Sequence, residues 1–307
     1  MQITSTLVMV RPDHFGYNLE TAETNTFQND PHLNGKSAED IRKTALQEFS
    51  SMVSLLRKEG LEIVVLSSRK DAITPDAIFP NNWFTHHQDG TLVVYPMLTP
   101  NRRSERQIKS LIKSLAKVGI KKPHILDLSA DELMGEILEG TGSLVLDRVN
   151  KVAFAMESSR TKRQEFEKWC QLMEYEGIFF HGVDAEDRPI YHTNVVMSIG
   201  EGFVLLCLEA IRDKKERQMI EKKIQSLKKE IIHVTLSQVE SFCSNMLQVV
   251  TKKGIRKIVM SETAKDAFTK EQLVQLGKHG ELVSIAIPTI EKVGGGSVRC
   301  MLAEVFL

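Results

Sequence analysis

The chain is poor in the features that mark several classes of protein. Its four cysteines, at positions 170, 207, 243 and 300, include no CxxC pair and no spacing typical of a zinc site, so we expect reduced thiols and no metal. No apolar run approaches the ~18 residues that predict a membrane helix. The 40 basic residues balance 40 acidic ones, which gives no indication of a nucleic-acid or membrane partner.

The first residues also lack the basic and apolar regions of a secretory signal, so we expect a cytoplasmic protein. What the composition does contain is typical of a globular chain, with 42% hydrophobic and 26% charged residues. A length of 307 residues is ample for a substantial hydrophobic core.

Five stretches have the 3.6-residue periodicity of amphipathic helices, at residues 37–59, 102–117, 159–176, 211–229 and 262–278. Short strand pairs lie between them. A small or polar residue opens a strand near Asn82, Gly142, Asn194, Asn245 and Val298, at separations of 60, 52, 51 and 53 residues. A regular period near 50 indicates a repeat architecture.

The fifth repeat has no helix after its strand. The strand at residues 7–10 and the helix at residues 37–59 would complete it and close a ring. We therefore predict one domain over residues 1–307.

The strand openings of a closed ring converge on one axis, so their side chains can share a pocket. Glu139, His192 and Cys300 stand at three of these openings, and a carboxylate, an imidazole and a thiol are the parts of an activated cysteine nucleophile. Arg299 precedes the cysteine, and a nearby cation favours the thiolate. Taken singly, each residue is weak evidence, because a buried cysteine and a hydrogen-bonding histidine are the commoner roles and the glutamate is also compatible with a turn.

Four motifs in these repeats resemble those of the arginine deiminases. They are the G-G-S-V-R-C-M tail at residues 295–301, L-E-G-T-G at 138–142 with Gly142 replacing an acid, S-S-R-T at 158–161, and Y-H-T-N at 191–194 with Asn194 replacing an aspartate. Their order matches, and the resemblance covers essentially the whole chain. It implies the pentein fold, an α/β five-bladed propeller of ββαβ repeats with pseudo-fivefold symmetry.

Within the penteins, the segments at residues 10–18, 24–28 and 79–87 resemble the citrulline-utilisation hydrolases, an amidinotransferase-like group. We expect Asn25, Phe27 and Gln28 to belong to a loop that covers the pocket, and His86 and His87 to a hairpin without metal. Asn82 and Asn194 stand where guanidine-processing penteins have acids. An amide suits a neutral ureido group, because it both donates and accepts hydrogen bonds. The alternative, above all for Asn81, is an asparagine that merely opens a turn.

The resemblance implies a cysteine-dependent hydrolase of citrulline that gives ornithine, ammonia and carbon dioxide through an S-carbamoyl-cysteine. Cys300 would be the nucleophile, His192 the general acid and then base, and Glu139 the residue that holds His192 or the substrate. Substrate binding is implied for Asn82, Asn194 and Asn81, and for Arg160 at the α-carboxylate. No cofactor and no metal are implied.

Two alternatives remain open from the sequence. An arginine or methylarginine deiminase, or an amidinotransferase, would use the same three catalytic residues. A catalytically inactive pentein would serve only as a binding or scaffold module. The expected partner is a small ureido or guanidino amino acid, with no nucleic acid and no membrane, and a homodimer is left open.

Overall fold

The computed structural model of the chain describes residues 1–30, 35 and 37–307. In these ranges, five three-stranded sheets are present. Their strands are, sheet by sheet, β1 Thr6–Val10, β2 Glu62–Leu66 and β15 Ala303–Val305; β3 Phe84–His86, β4 Thr91–Val94 and β5 His124–Asp127; β6 Leu144–Asp147, β7 Val152–Met156 and β8 Glu176–Phe180; β9 Met197–Ile199, β10 Phe203–Leu206 and β11 Glu230–His233; β12 Leu247–Val250, β13 Arg256–Ser261 and β14 Glu281–Ile285.

In every sheet the middle strand pairs antiparallel with one neighbour and parallel with the other. Parallel neighbours need a crossover connection, which helices supply here. The α-helices in chain order are α1 Leu19–Ala22, α2 Ala38–Lys58, α3 Pro100–Arg103, α4 Ile108–Ala116, α5 Gly140–Ser143, α6 Arg163–Met173, α7 Lys214–Ser226, α8 Leu236–Glu240, α9 Glu262–Ala267, α10 Lys270–Gly277 and α11 Pro288–Gly294. The predicted α/β fold of five ββαβ blades is confirmed.

The two ends of the chain close the ring, as the sequence predicts. Thr6 of β1 pairs antiparallel with Val305 of β15, and the other edge of β1 pairs in parallel with β2. This closure supports our proposal that residues 1–307 form one domain. The strand β1 is buried along its whole length, which explains why it reads as an unbroken apolar run rather than an alternating one.

Two of the predicted helices are wrong, because the structure divides each of them into two. The stretch at 102–117 is divided between α3, which ends at Arg103, and α4, which begins at Ile108; in the segment between them Glu105 accepts two hydrogen bonds from Arg102. The stretch at 262–278 forms α9 and α10. It divides after Phe268, where Thr269 caps α10 through a reciprocal pair of hydrogen bonds with Gln272.

The predicted helix at 159–176 begins later, at Arg163, and ends at Met173. The delay arises because the backbone groups of Ser158 and Thr161 bond each other in a tight turn. Arg160 therefore lies in a loop before the helix and is only 2% exposed, in contrast to a surface arginine at a helix start. Within the described ranges, none of the helices combines the length and hydrophobicity that a membrane span needs.

The ring closure contains a buried histidine that should make stability depend on pH. Nδ1 of His86 in β3 accepts a hydrogen bond from the backbone N–H of Phe306, which follows β15. Burial, with help from the charge of Arg148, lowers the pKa of His86 to about 4. The unfolded chain therefore binds a proton on this residue at a higher pH than the folded chain does.

We expect the free energy of unfolding to be intact above about pH 6.5 and to fall as the pH drops toward 4, with His86 contributing a loss of about 2 kcal/mol at pH 5. Urea unfolding at several pH values measures this loss. The variant His86→Asn keeps an acceptor for Phe306 and removes the titration, so its stability should fall less with acid. The exposed His124→Asn is the matched control, and parallel pH curves for wild type and His86→Asn would refute the assignment.

Candidate active site

Four of the predicted strand openings are short helical turns that meet at the centre of the ring. They are Pro80–Asn82, Gly140–Ser143, Thr193–Val195 and Val298–Met301. Each turn lets the chain reverse into a buried strand while its polar side chains stay near the axis. This geometry explains why the sequence period of about 50 residues places polar groups together.

Hydrogen bonds between neighbouring blades link these openings. The side-chain amide of Asn81 donates to Oγ1 of Thr141 at 3.3 Å, and that of Asn194 donates to the Thr141 carbonyl at 3.1 Å. The amide of Asn245 donates to the Asn194 carbonyl at 3.3 Å, and its Oδ1 accepts from the backbone N–H of Arg299 at 3.1 Å. Asn245, which stands at the remaining strand opening, is thus part of the same polar circle.

A narrow pocket lies beside this circle. It is lined by four of the predicted site residues, Asn82, Arg160, His192 and Cys300, together with Asn25, Asp76, Phe79, Arg102, Tyr191 and the glycines 294–296. The predicted nucleophile and the predicted acid/base therefore share one cavity. Glu139 stands behind His192.

The imidazole of His192 is held by Glu139. Its Nε2 lies 2.9 Å from Oε2 of Glu139, and both side chains are almost fully buried. Burial alone would raise the pKa of Glu139, but Arg160, His192 and Arg102 together lower it to about 2, so the group is a carboxylate. A carboxylate can only accept, hence Nε2 carries the proton and Nδ1 is the ring nitrogen left for proton exchange.

The same burial keeps the resting imidazole neutral. It lowers the pKa of His192 to about 4, although the hydrogen bond and charge of Glu139 act in the opposite direction. A neutral imidazole can take a proton from a thiol or from water near neutral pH. The pair therefore has the geometry of a base with its orienting partner.

The thiol of Cys300 contacts two side-chain amides. Its Sγ lies 3.2 Å from Nδ2 of Asn245 and 3.5 Å from Nδ2 of Asn194. The guanidinium of Arg299 instead donates to the Leu302 carbonyl and to Glu304, both at 2.8 Å. The guanidinium therefore does not bond the sulfur, although its charge interacts with Cys300, and the expectation that this cation favours the thiolate stays a prediction.

The orientation of the Asn82 amide is fixed by a buried arginine. Nη1 of Arg102 donates to Oδ1 of Asn82 at 2.8 Å, and the other arms of Arg102 bond Glu105 and the Phe79 carbonyl. Since Oδ1 faces Arg102, Nδ2 is the end left over, and it is a buried donor with no partner among the described residues. Asn82 thus offers the pocket N–H groups.

Gly142, where the deiminase motif has an acid, leaves no room for a side chain. A Cβ there would lie 2.3 Å from Nδ2 of Asn82 and 2.7 Å from Nδ1 of His192. These two nitrogens therefore approach the same point, and the glycine is what lets them do so.

Arg160 and the N-terminal loop close the outer end of the pocket. Nη2 of Arg160 donates to Oγ1 of Thr24 at 2.8 Å and to the Thr21 carbonyl at 3.3 Å, while its Nη1 lies 3.7 Å from Glu139. The amide of Asn25 donates to the carbonyls of Gly294 and Gly295, each at 3.3 Å. The expected covering loop is therefore present at this position.

Gln28 and Phe27, the other two residues expected in that loop, also contact residues that line the pocket. Gln28 donates to the Gly294 carbonyl, and the ring of Phe27 packs edge-on against Tyr191 with a centroid distance of 5.9 Å. The hydroxyl of Tyr191 donates to the Gly295 carbonyl at 2.7 Å, which ties the floor of the pocket to its glycine rim.

Sequence reasoning missed Asp76, which lies six positions before Asn82. Its Oδ2 accepts from Nδ2 of Asn18 at 2.7 Å and from Oγ1 of Thr21 at 3.1 Å. Its Oδ1 is buried and, among the described residues, has no partner. It also missed Arg102 and the sulfur contact of Asn245. Of these three residues, only Asn245 had a signal in the sequence, because it stands at a strand opening of the 50-residue repeat.

Asn81 is placed differently from its predicted role. Its amide bonds Thr141 within the polar circle, and it is not among the pocket-lining residues, because successive residues of a tight turn face different directions. The Asn194 amide lies beside Sγ of Cys300.

His86 belongs to β3 and His87 follows it directly, as expected for a hairpin. In the described part of the chain, no group of three or more His, Cys, Asp or Glu side chains is arranged to hold a metal ion.

Comparison with known proteins agrees with this picture. The family model described as "N,N dimethylarginine dimethylhydrolase, eukaryotic" matches residues 11–307. No significant match was found among curated proteins. Among solved structures, the fold is similar to a substrate-bound cysteine-to-serine variant of the N-terminal domain of ArgZ, an arginine dihydrolase from Cyanobacteria, with 17% identity, TM-score 0.72 and 98% of each chain covered.

Two further solved structures share the fold. Unliganded AgrE has 19% identity and a TM-score of 0.73 over 97% of this chain and 38% of AgrE. A dimethylarginine dimethylaminohydrolase adduct with 4-chloro-2-hydroxymethylpyridine has 13% identity and a TM-score of 0.65 over 98% and 99% of the two chains. These similarities are to one five-bladed α/β architecture.

Proposed function

The chain belongs to the eukaryotic-type N,N-dimethylarginine dimethylhydrolase family of the pentein superfamily, and within that family we propose that it hydrolyses the ureido group of citrulline. It is a hydrolase that acts on C–N bonds. The choice of citrulline over a guanidine is the part that this proposal adds. The overall reaction converts citrulline and water into ornithine, ammonia and carbon dioxide.

The observation that carries the proposal is the fixed amide of Asn82. Because Arg102 occupies its Oδ1, Asn82 presents only donors to the pocket. A ureido group has a carbonyl oxygen that accepts such a bond, whereas a guanidinium has donors only. A guanidinium would leave the Asn82 donor unpaired, which costs on the order of 1–3 kcal/mol when buried.

The reaction begins with transfer of the Cys300 thiol proton to His192. The thiolate then attacks the ureido carbon, a C–S bond forms, and negative charge develops on the ureido oxygen, where Asn82 donates. As the bond between carbon and the ornithine nitrogen breaks, His192 returns the proton to the departing amine. The product of this half is an S-carbamoyl-cysteine.

The second half releases the carbamoyl group. His192 takes a proton from water, whose oxygen attacks the carbamoyl carbon, and the C–S bond breaks to restore the thiol. The carbamate that leaves decomposes to ammonia and carbon dioxide. Glu139 stays ionised throughout and, by holding Nε2, leaves Nδ1 of His192 for these proton transfers.

The amino-acid end of citrulline is bound by the groups that now contact the covering loop. The planar fork of Arg160 suits the α-carboxylate, and the free Oδ1 of Asp76 suits the α-ammonium. Both side chains hold hydrogen bonds to Thr21 in this structure. Substrate binding therefore requires the segment around Thr21 and Thr24 to open and then to close over the ligand.

Arginine is the second candidate, since ArgZ, which shares this fold, is described as an arginine dihydrolase. The observation that favours it is the Glu139 carboxylate, whose charge could offset a guanidinium near His192. Hydrolysis of arginine to ornithine would release two ammonia molecules, against one for citrulline. The stoichiometry therefore separates the two.

An assay of the purified protein tests the proposal. Citrulline, arginine and dimethylarginine are supplied separately, and ornithine, ammonia and citrulline are quantified. We expect ornithine and ammonia in a ratio of one from citrulline, with slower turnover of the guanidines. Accumulation of citrulline from arginine or dimethylarginine, with citrulline itself left intact, would overturn the proposal.

A further inference from the structure

Asn245 is a strand-opening asparagine to which the reaction steps above give no part. It is fully buried and does not line the pocket, yet its Nδ2 is the polar atom recorded nearest to the Cys300 sulfur, at 3.2 Å. The Asn194 amide lies at 3.5 Å. A buried polar group aimed at a reacting atom from behind the pocket is more than a packing residue requires.

The direction of the Asn245 amide is fixed. Its Oδ1 accepts the backbone N–H of Arg299, the residue before the nucleophile, at 3.1 Å. The amide nitrogen must therefore face the other way, toward the sulfur and the Asn194 carbonyl. One side chain thus sets the backbone position of the nucleophile and supplies a donor to its sulfur.

Among the described residues, no arginine or lysine makes a hydrogen bond to the sulfur of Cys300. The donors of Arg299 go to Leu302 and Glu304, and the carboxylate of Glu304 offsets the charge of that arginine. Buried N–H donors then become the direct means of stabilising the anion, and a hydrogen bond to a charged acceptor is about twice as strong as one between neutral groups.

We propose that Asn245 is a further catalytic residue, which stabilises the Cys300 thiolate by donating a hydrogen bond from Nδ2 to Sγ. The S–H proton passes to His192 and the electron pair stays on sulfur, where the amides of Asn245 and Asn194 hold it. The proposal deepens the proposed function, since it concerns the same nucleophile. It does not depend on the identity of the substrate.

The test uses alkylation of Cys300 by iodoacetamide, which requires thiolate but no substrate. Rates are measured against pH in the intact protein, with the Cys300 peptide followed by mass spectrometry. The other three cysteines are buried, and burial raises the pKa values of Cys170, Cys207 and Cys243 to about 12, 11 and 12. Cys300→Ser gives the background.

Two variants separate donation from structure. Asn245→Asp keeps the acceptor for Arg299 and the shape, but puts an oxygen where the donor stands; Asn245→Ala removes both groups. We expect the midpoint of alkylation to move up by at least one pH unit in Asn245→Ala and further in Asn245→Asp. With citrulline, kcat should fall by about 10²–10³-fold while KM changes little.

A purely structural role predicts a different result. Both variants would then lower the thermal midpoint while the pH profile of alkylation stayed where it is in the wild type, and that outcome would overturn the proposal. If Asn245→Asp does not fold, Asn245→Ala gives the same decision. A protein that alkylates as expected but leaves citrulline intact would refute the substrate and keep the role of Asn245.

Discussion

Replacement of Cys300 by serine is expected to lower citrulline turnover by on the order of 10⁴-fold or more. The hydroxyl of serine is a far weaker nucleophile than a thiolate, because a thiol gives up its proton before the attack whereas a hydroxyl, with its much higher pKa, does not. Substrate binding should survive, because Asn82, Arg160 and Asp76 are untouched. Initial rates measure the loss, and calorimetry with citrulline measures the binding that remains.

The wild type should form a covalent intermediate that this variant cannot. Acid quenching during turnover, followed by mass spectrometry, should find Cys300 carrying one carbamoyl group. Cys243→Ser is the matched control, since the Cys243 thiol donates to the Ala264 carbonyl and a hydroxyl can keep that bond. Undiminished turnover by Cys300→Ser would eliminate the covalent mechanism.

Replacement of Asn82 by aspartate is expected to reverse the preference between ureido and guanidino substrates. One carboxylate oxygen would pair with Arg102, and the other would take the place of the Nδ2 donor. The ureido oxygen then meets an anion instead of an N–H, so kcat/KM for citrulline should fall by about 10²–10³-fold. A guanidinium gains a charged acceptor, so arginine should be favoured relative to citrulline.

The ratio of kcat/KM values for citrulline and arginine measures this reversal. Asn81→Asp introduces the same charge one position away, at a side chain that bonds Thr141 rather than lining the pocket. It should leave the ratio near that of the wild type. An unchanged ratio in Asn82→Asp would mean that this amide does not select the substrate.

The sequence predicts much of this architecture because each repeat has local patterns that can be recognised in its own residues. Apolar strands, helix periodicity and the spacing of polar openings recur about every 50 residues, and each signal survives without knowledge of the neighbours. The closure by β1 follows from the same count. The break between α9 and α10 could not be predicted from the sequence, since it depends on how Thr269 and Gln272 cap each other rather than on apolar spacing.

The site residues also fall into those that the sequence predicts and those that it does not. Cys300, His192 and Glu139 stand in recognisable motifs, and the structure brings them together. The role of Arg102 follows only from the bond between its Nη1 and Oδ1 of Asn82. That of Asp76 follows only from its Oδ1, which has no partner among the described residues. Such facts concern pairs of atoms in different blades, and no single segment of the chain contains them.

The pairing of β1 with β15 makes assembly of the nucleophile a late event in biosynthesis relative to the first blade. Thr6 is translated early and can pair with β2 as soon as Glu62–Leu66 has been made, but its antiparallel partner Val305 is translated much later. Until then the first blade is a two-stranded half. Cys300, just upstream of β15, is not yet between its amides at that stage, so a nascent chain that lacks β15 has no assembled thiol site.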